Sequence, residues 1–149
     1  MELQELIDRL ERYQGVIEEK NVADFLIAGN DAVDTIVRRL QEDGLNEDGM
    51  DFDLYTPEYL RKKQKAGRYR GFRDHTLSGD MLRSLKCRLE KTETGYVAVV
   101  GVSEAQKEIL QGNVDHVGQL IRLSDYELDL IKEDLKSRMQ ATLQEYLRR

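Results

Sequence analysis

The sequence predicts an α+β domain in which a small antiparallel sheet of about three strands packs against a long C-terminal helix and N-terminal helices. Three observations predict it. Apolar residues recur at helical spacing over residues 22–43 and again from residue 125 toward the C-terminus. Between those stretches, two short strand-like runs flank the turn residues Glu93-Thr94-Gly95. The chain has 149 residues with 40% hydrophobic and 35% charged content, which suits one domain, 1–149, with a modest core and a strongly solvated exterior. No internal repeat or low-complexity tract divides it.

The first element is a short amphipathic helix over about residues 2–14, where Leu3, Leu6, Ile7 and Leu10 fall on one stripe between acidic residues. Gly15 is expected to end or bend it. A second helix, 22–43, carries Val22, Phe25, Leu26, Val33, Ile36, Val37 and Leu40 on one face, with Asn21 as N-cap and Gly44 just past its end. Within it, Gly29-Asn30 marks a kink or a close packing contact, because a helical Gly costs about 1 kcal/mol against Ala.

Residues 44–57 have no period and read as a connecting loop rich in Gly and Asp. An acidic loop invites a calcium site, but the spacing argues against an EF-hand. With Gly49 at the obligatory sixth position, Gly44 stands where the first carboxylate belongs and Tyr55 where the bidentate Glu belongs. After Pro57 a turn or two of helix leads into Gly67-Arg68-Tyr69-Arg70-Gly71-Phe72-Arg73, which reads as an exposed basic loop. The whole of about 44–76 is expected to be a mobile, acidic-then-basic loop.

Leu77-Ser78-Gly79-Asp80 then opens a short helix with Met81, Leu82 and Leu85, Ser78 serving as cap and Asp80 lying in the first turn. Leu85, Cys87 and Leu89 alternate with charged residues, and Tyr96 to Val102 is an apolar run, so a β-hairpin with one buried face follows. Ala105 to Leu110 predicts a one- or two-turn helix stopped at Gln111-Gly112-Asn113, and Val117 to Leu123 a third, shorter strand. Ser124-Asp125-Tyr126-Glu127 is a capping box for the last helix, whose Leu128, Ile131, Leu135, Met139, Thr142 and Tyr146 keep helical spacing.

The net charge of −6 conceals an uneven distribution. Residues 1–58 hold 5 Lys and Arg against 16 Asp and Glu, and residues 59–149 hold 18 against 13, so the two parts carry −11 and +5. Seven basic residues, Arg61, Lys62, Lys63, Lys65, Arg68, Arg70 and Arg73, fall within 13 positions. Such density marks a nucleic-acid contact, an anionic partner surface or a solvated loop. Tyr69 and Phe72 lie among the arginines, the mixture a single-strand binder uses for stacking and phosphate contact. An acidic protein without a recognition-helix pattern more often turns such a loop to solvent or to another protein.

Catalytic and metal chemistry find little support. Cys87 is the only cysteine, which rules out an internal disulfide and a thiolate-rich metal site; its plainer reading is a half-buried strand residue. The polar candidates are Asp74-His75, Asp80, Asp115-His116 and Ser78, yet no nucleophile elbow or His-Glu-x-x-His spacing accompanies them. His75 and His116 with Asp74 and Asp115 make a metal site only if the fold brings them together; two loop histidines are the simpler reading. No enzyme and no cofactor are expected. No apolar run reaches membrane-spanning length and the N-terminus shows no apolar leader, so synthesis in the cytoplasm and no membrane partner are expected.

One resemblance covers about residues 22–147. The order of Thr56-Pro57-Glu58-Tyr59-Leu60-Arg61-Lys62-Lys63, a basic loop, Leu77-Ser78-Gly79-Asp80-Met81-Leu82-Arg83-Ser84-Leu85, Gly95-Tyr96-Val97-Ala98-Val99-Val100-Gly101-Val102 and Ala105 to Gly112 resembles the tail-completion, or virion-morphogenesis, proteins of tailed phages and prophages. Leu77, Ser78, Gly79, Leu82 and Ser84 carry the most family-like part. Where that family commonly has a glycine-threonine step and a proline-rich turn, this chain has Gly112-Asn113 and Arg122-Leu123-Ser124. The resemblance implies a non-enzymatic virion protein of the neck or tail terminus, made in the host cytoplasm. It would form a homo-oligomeric ring that contacts head connector or stopper and tail-tube proteins. The basic loop would then meet the acidic surface of the next copy or DNA in the lumen. The alternative is a small nucleic-acid-binding or regulatory module using loop 61–73.

Overall fold

The computed structural model describes residues 3–74, 79–117 and 120–148. It is an α+β fold: among the described residues, five α-helices and a two-stranded antiparallel sheet, with the first helix as the shared support. Helix α1 (Leu3–Arg38) has 36 residues, a length of about 54 Å at 1.5 Å per residue. The two helices expected at the N-terminus are therefore one. Gly15 does not end it, since a single Gly costs only about 1 kcal/mol against a helix that continues on both sides.

A turn of π-helix (Arg39–Asp43) completes α1 and stops at Gly44, whose φ of 69° is the left-handed conformation that suits Gly at a helix end. The end expected from the sequence is the end observed. The Gly has a second reason: a Cβ there would lie 2.7 Å from Cγ of Phe72. Residues 45–51 then fold on themselves, with a Leu45–Asp51 bridge and Asn46 Oδ1 accepting the amides of Asp48 and Met50 at 2.9 and 3.0 Å.

Helix α2 (Pro57–Lys65) starts as its sequence dictates, with Pro in the first turn and Thr56 Oγ1 accepting the Tyr59 amide. Helix α3 (Asp80–Arg83) has Gly79 at its N-cap position, not Ser78 as the sequence suggested, and the Gly79 carbonyl accepts the Arg83 amide. Leu77 and Ser78 themselves lie outside the described residues. Strands β1 (Lys86–Thr92) and β2 (Gly95–Gly101) pair in register from Lys86 with Gly101 to Thr92 with Gly95, leaving Glu93 and Thr94 as the two-residue turn. Along β1, Cys87 and Leu89 are half-buried while Lys86, Arg88 and Glu90 face solvent, the expected alternation.

Helix α4 (Lys107–Val117), entered through a 3-10 turn at Glu104–Gln106, does not stop at Gly112. Side-chain bonds one turn apart carry it through: Gln111 to Asp115 at 2.6 Å and Asn113 to the Ile109 carbonyl at 2.8 Å. Among the described residues of 117–123 the expected third strand is not formed, because Val117 belongs to α4 and residues 120–124 are irregular. Leu120 is buried and Ile121 and Leu123 half-buried, so the segment gives its apolar residues to the core, and the Arg122 carbonyl accepts Arg39 Nη2 at 2.5 Å in place of a ladder bond. Helix α5 (Asp125–Leu147) begins at the predicted capping box.

Both the hairpin and α5 pack on α1. Gly29 explains how the sheet comes so near: a Cβ on it would fall far inside van der Waals contact distance of Cys87 Sγ and 3.0 Å from Cys87 Cβ. Gly29 is thus the close contact anticipated, made with a strand. The core gathers Ile36 and Leu40 of α1, Met81, Leu82 and Leu85 around α3, and Leu120. Leu26, assigned to the buried face from its spacing, is 41% exposed.

Candidate functional site

The basic segment contains a buried charge. Lys63 of α2 is fully buried, and its Nζ pairs with Asp74, itself 1% exposed. Tyr55 completes the group: its hydroxyl donates to Asp74 Oδ1 at 3.0 Å and accepts from Lys63 Nζ at 3.3 Å. The Tyr55 ring lies 4.9 Å from Lys63 Nζ and 5.1 Å from Arg73 Cζ, and packs against Tyr59 with centroids 4.9 Å apart. Burial, and then the Asp74 carboxylate, raise the pKa of Tyr59 above the usual tyrosine value, and Arg73 opposes them.

Lys63 therefore leaves the set of residues offered to a partner. A buried ammonium is tolerated because a carboxylate and a phenol satisfy it, and in doing so it closes the segment from Tyr55 to Asp74 into a loop. Arg73, half-buried, reaches the Asp53 carbonyl at 3.4 Å, and Arg70 donates to the Gln41 carbonyl at 2.9 Å. Phe72 rests on Gly44. The segment expected to be mobile meets the end of α1 at two points, Gln41 and Gly44. Arg61, Lys62, Lys65, Arg68 and Arg70 remain exposed, and Tyr69 is half-buried.

The family-like segment has a structural role where it is described. Leu82 is 2% exposed in the core. Ser84 Oγ donates to the Met81 carbonyl at 2.8 Å and accepts the Ser103 amide at 3.3 Å, joining the end of α3 to the exit of β2. Beside it is an open cleft of about 490 Å³ whose lining includes Arg83, Lys86 and Arg88. Arg83 pairs with Asp80 at 2.5 Å and Arg88 with Glu90 at 2.9 Å, so two of its three cations are already neutralised.

Of the catalytic and metal candidates, Asp74, Asp80 and Asp115 have described side chains. Asp74 is held by Lys63 and Tyr55, whereas Asp115 is exposed and bonded to Gln111. His75 and the side chain of His116 lie outside the described residues. Among the described residues, no three His, Cys, Asp or Glu side chains are grouped to hold a metal ion. Cys87 is half-buried at the α1 contact, and burial pushes its thiol pKa up, away from nucleophilic use. Among the same residues, no helix is long and apolar enough to cross a membrane.

Two features escaped the sequence reading. One is a second, part-buried ion pair, in which Arg39 at the end of α1 meets Glu127 of the capping box. The other is the amount of apolar side chain left at the surface: Val16, Leu26, Ile27, Leu128, Leu130 and Leu143 on α1 and α5 are all at least 37% exposed. The spacing of Lys63, one helical turn from Tyr59, is visible, but nothing local marks one lysine among Lys62, Lys63 and Lys65 as the buried one.

No protein-family model, curated protein or solved structure matches this chain.

Proposed function

We propose that this protein is a structural subunit of a tailed-phage or prophage virion, at the neck or the tail terminus, where it forms a homo-oligomeric ring that completes the tail or joins it to the head. It is not an enzyme in this reading, and its partners are its own copies, the head connector or stopper, and tail-tube proteins. The observation that carries the reading is the exposed cationic surface of Arg61, Lys62, Lys65, Arg68 and Arg70, set on a buried Lys63–Asp74–Tyr55 support, in a chain whose first 58 residues carry −11. A fixed positive surface and a negative one on the same subunit are complementary between neighbours, and a contact of unlike surfaces repeats around a closed axis. The resemblance of its order of segments to tail-completion proteins supports the same assignment, and a cationic surface facing a lumen would also suit passing DNA, whose backbone needs no sequence readout.

Light scattering and electron microscopy of purified protein across salt concentrations test this. Closed rings that dissociate when Arg61, Lys62, Lys65 and Arg68 are replaced by Glu are the expected result. A monomer at every concentration that instead binds single-stranded DNA at low salt, and loses it with Arg68 and Arg70 changed to Ala, would replace this reading with a nucleic-acid-binding module.

A further inference from the structure

Helices α1 and α5 run antiparallel, as the pairs Arg39 with Glu127 and Asp31 with Arg138 record. Toward the far end, Ile17 of α1 and Leu135, Met139 and Leu143 of α5 line an apolar groove of about 390 Å³, edged by Lys132 and Lys136. Lys132 is only loosely engaged by Asp129, at 3.5 Å on the surface, and Lys136 forms no salt bridge among the described residues. The groove is apolar with a positive edge.

At the other end of α1, the segment after Gly44 has the opposite charge. Phe52 packs against the core and Tyr55 is buried, whereas Met50 is 59% and Leu54 72% exposed. Around these two stand Glu47, Asp48, Asp51 and Asp53, none of them in a salt bridge among the described residues. The segment has a fixed shape: Leu45 bridges Asp51, and Asn46 Oδ1 accepts the amides of Asp48 and Met50. Little ordering therefore remains to be done when a partner meets it.

We propose that this acidic segment, residues 47–54, seats in the α1/α5 groove of a second copy of this chain, with Met50 and Leu54 against the apolar wall and the carboxylates against Lys132 and Lys136. The sizes agree. The chain spans at most about 14 Å from Met50 to Leu54, and the groove runs about 12 Å along α5 from Leu135 to Leu143. Unlike charges at the edge fix the register and favour encounter, while the two apolar side chains leave water. No chain can fill its own groove, because Ile17 lies about 28 Å along α1 from Ile36, whose core cluster holds Phe52. Donor segment and acceptor groove are different surfaces of one subunit, so the contact repeats from copy to copy; it deepens the ring reading and rests on it for closure of the assembly.

The test is zero-length carbodiimide coupling of the full-length protein as an equal mixture of unlabelled and heavy-isotope-labelled copies, which joins a lysine to a carboxylate only at direct contact. Peptides joining Lys132 or Lys136 of one copy to residues 47–53 of the other are the expected result. Met50→Ser with Leu54→Ser, both at exposed positions, should remove them. Lys132→Glu with Lys136→Glu, and separately Asp48→Lys with Asp51→Lys and Asp53→Lys, should each shift the protein to smaller species in sedimentation velocity. Mixing these two variants should restore assembly, because each groove then faces a segment of opposite charge. Rings without the cross-links would overturn this contact and leave the ring reading standing. The cross-links in an open filament or a closed dimer would support the contact and overturn the ring. Cross-links that persist with both apolar anchors replaced, a mixture that fails to reassemble, or protein that stays monomeric would overturn the contact.

Discussion

Replacing Gly29 with Ala separates two effects that usually favour each other. In an open helix interior, Gly to Ala is worth about 1 kcal/mol of added stability. At Gly29 the new methyl would overlap Cys87 Sγ and sit 3.0 Å from Cys87 Cβ and 3.5 Å from Ala98 Cβ, so the hairpin must move outward from α1. Overpacking of this kind costs about 1–3 kcal/mol, which gives a net loss of roughly 0–2 kcal/mol once the helix gain is deducted. Gly15, in the same helix and with nothing within 4 Å of its added methyl, is the control: Gly15→Ala should gain up to about 1 kcal/mol. Cys87→Ala removes the overlapping sulfur, so the double variant Gly29→Ala/Cys87→Ala should recover about 1 kcal/mol relative to the sum of the singles. Urea unfolding followed by helical circular dichroism measures all four. If Gly29→Ala stabilises the protein as much as Gly15→Ala does, the close approach of sheet and helix described above is wrong.

Lys63→Met should cost about 3–5 kcal/mol, because it leaves the Asp74 carboxylate buried without its cation; adding Asp74→Asn, which keeps an acceptor for the Tyr55 hydroxyl, should recover most of that loss in the same assay. Alkaline titration checks the Tyr59 environment. Its pKa is raised above 10.0 in the folded state, so its contribution is fully present below that pH and is lost as pH rises through the folded value, where the unfolded chain has already released its proton. Tyr59→Phe should flatten the decline in stability above pH 10.0, and an unchanged decline would show that the phenol is solvated.

The elements that could be read from the sequence are those whose signals are local. The capping box at Ser124 and Glu127 exchanges both of its bonds, Gly44 ends the first helix, and the hairpin turns at Glu93 and Thr94. What failed depended on distant partners. Leu120 to Leu123 has the composition of a strand, but with no neighbouring strand to pair it, burial in the core decided its path. Gly15 and Gly112 were given more weight as breakers than one glycine can exert against a continuing helix. In the basic segment the density of charge was plain, and its division was not: whether a lysine is buried with an aspartate 11 residues away is settled by the loop between them. Leu26 was misplaced because α1 is covered by the hairpin and by α5 on different sides, so its buried face is not the stripe that apolar spacing alone describes.

The bond between Arg39 and Glu127 joins positions 88 apart, and the groove ties Ile17 to Leu143. On the ribosome, α1 is therefore made long before the helix that covers it. At about 5–20 residues per second, some 4–18 s pass between Arg39 and Glu127, during which the apolar stripe of α1 has no α5 to lie against. Contacts this distant in sequence also close slowly once the chain is free. Nascent chains on one message would meet through those stripes, and the −11 carried by the first 58 residues opposes such encounters by repulsion. The charge of the first 58 residues thus bears on the nascent chain before the last helix exists to cover the first.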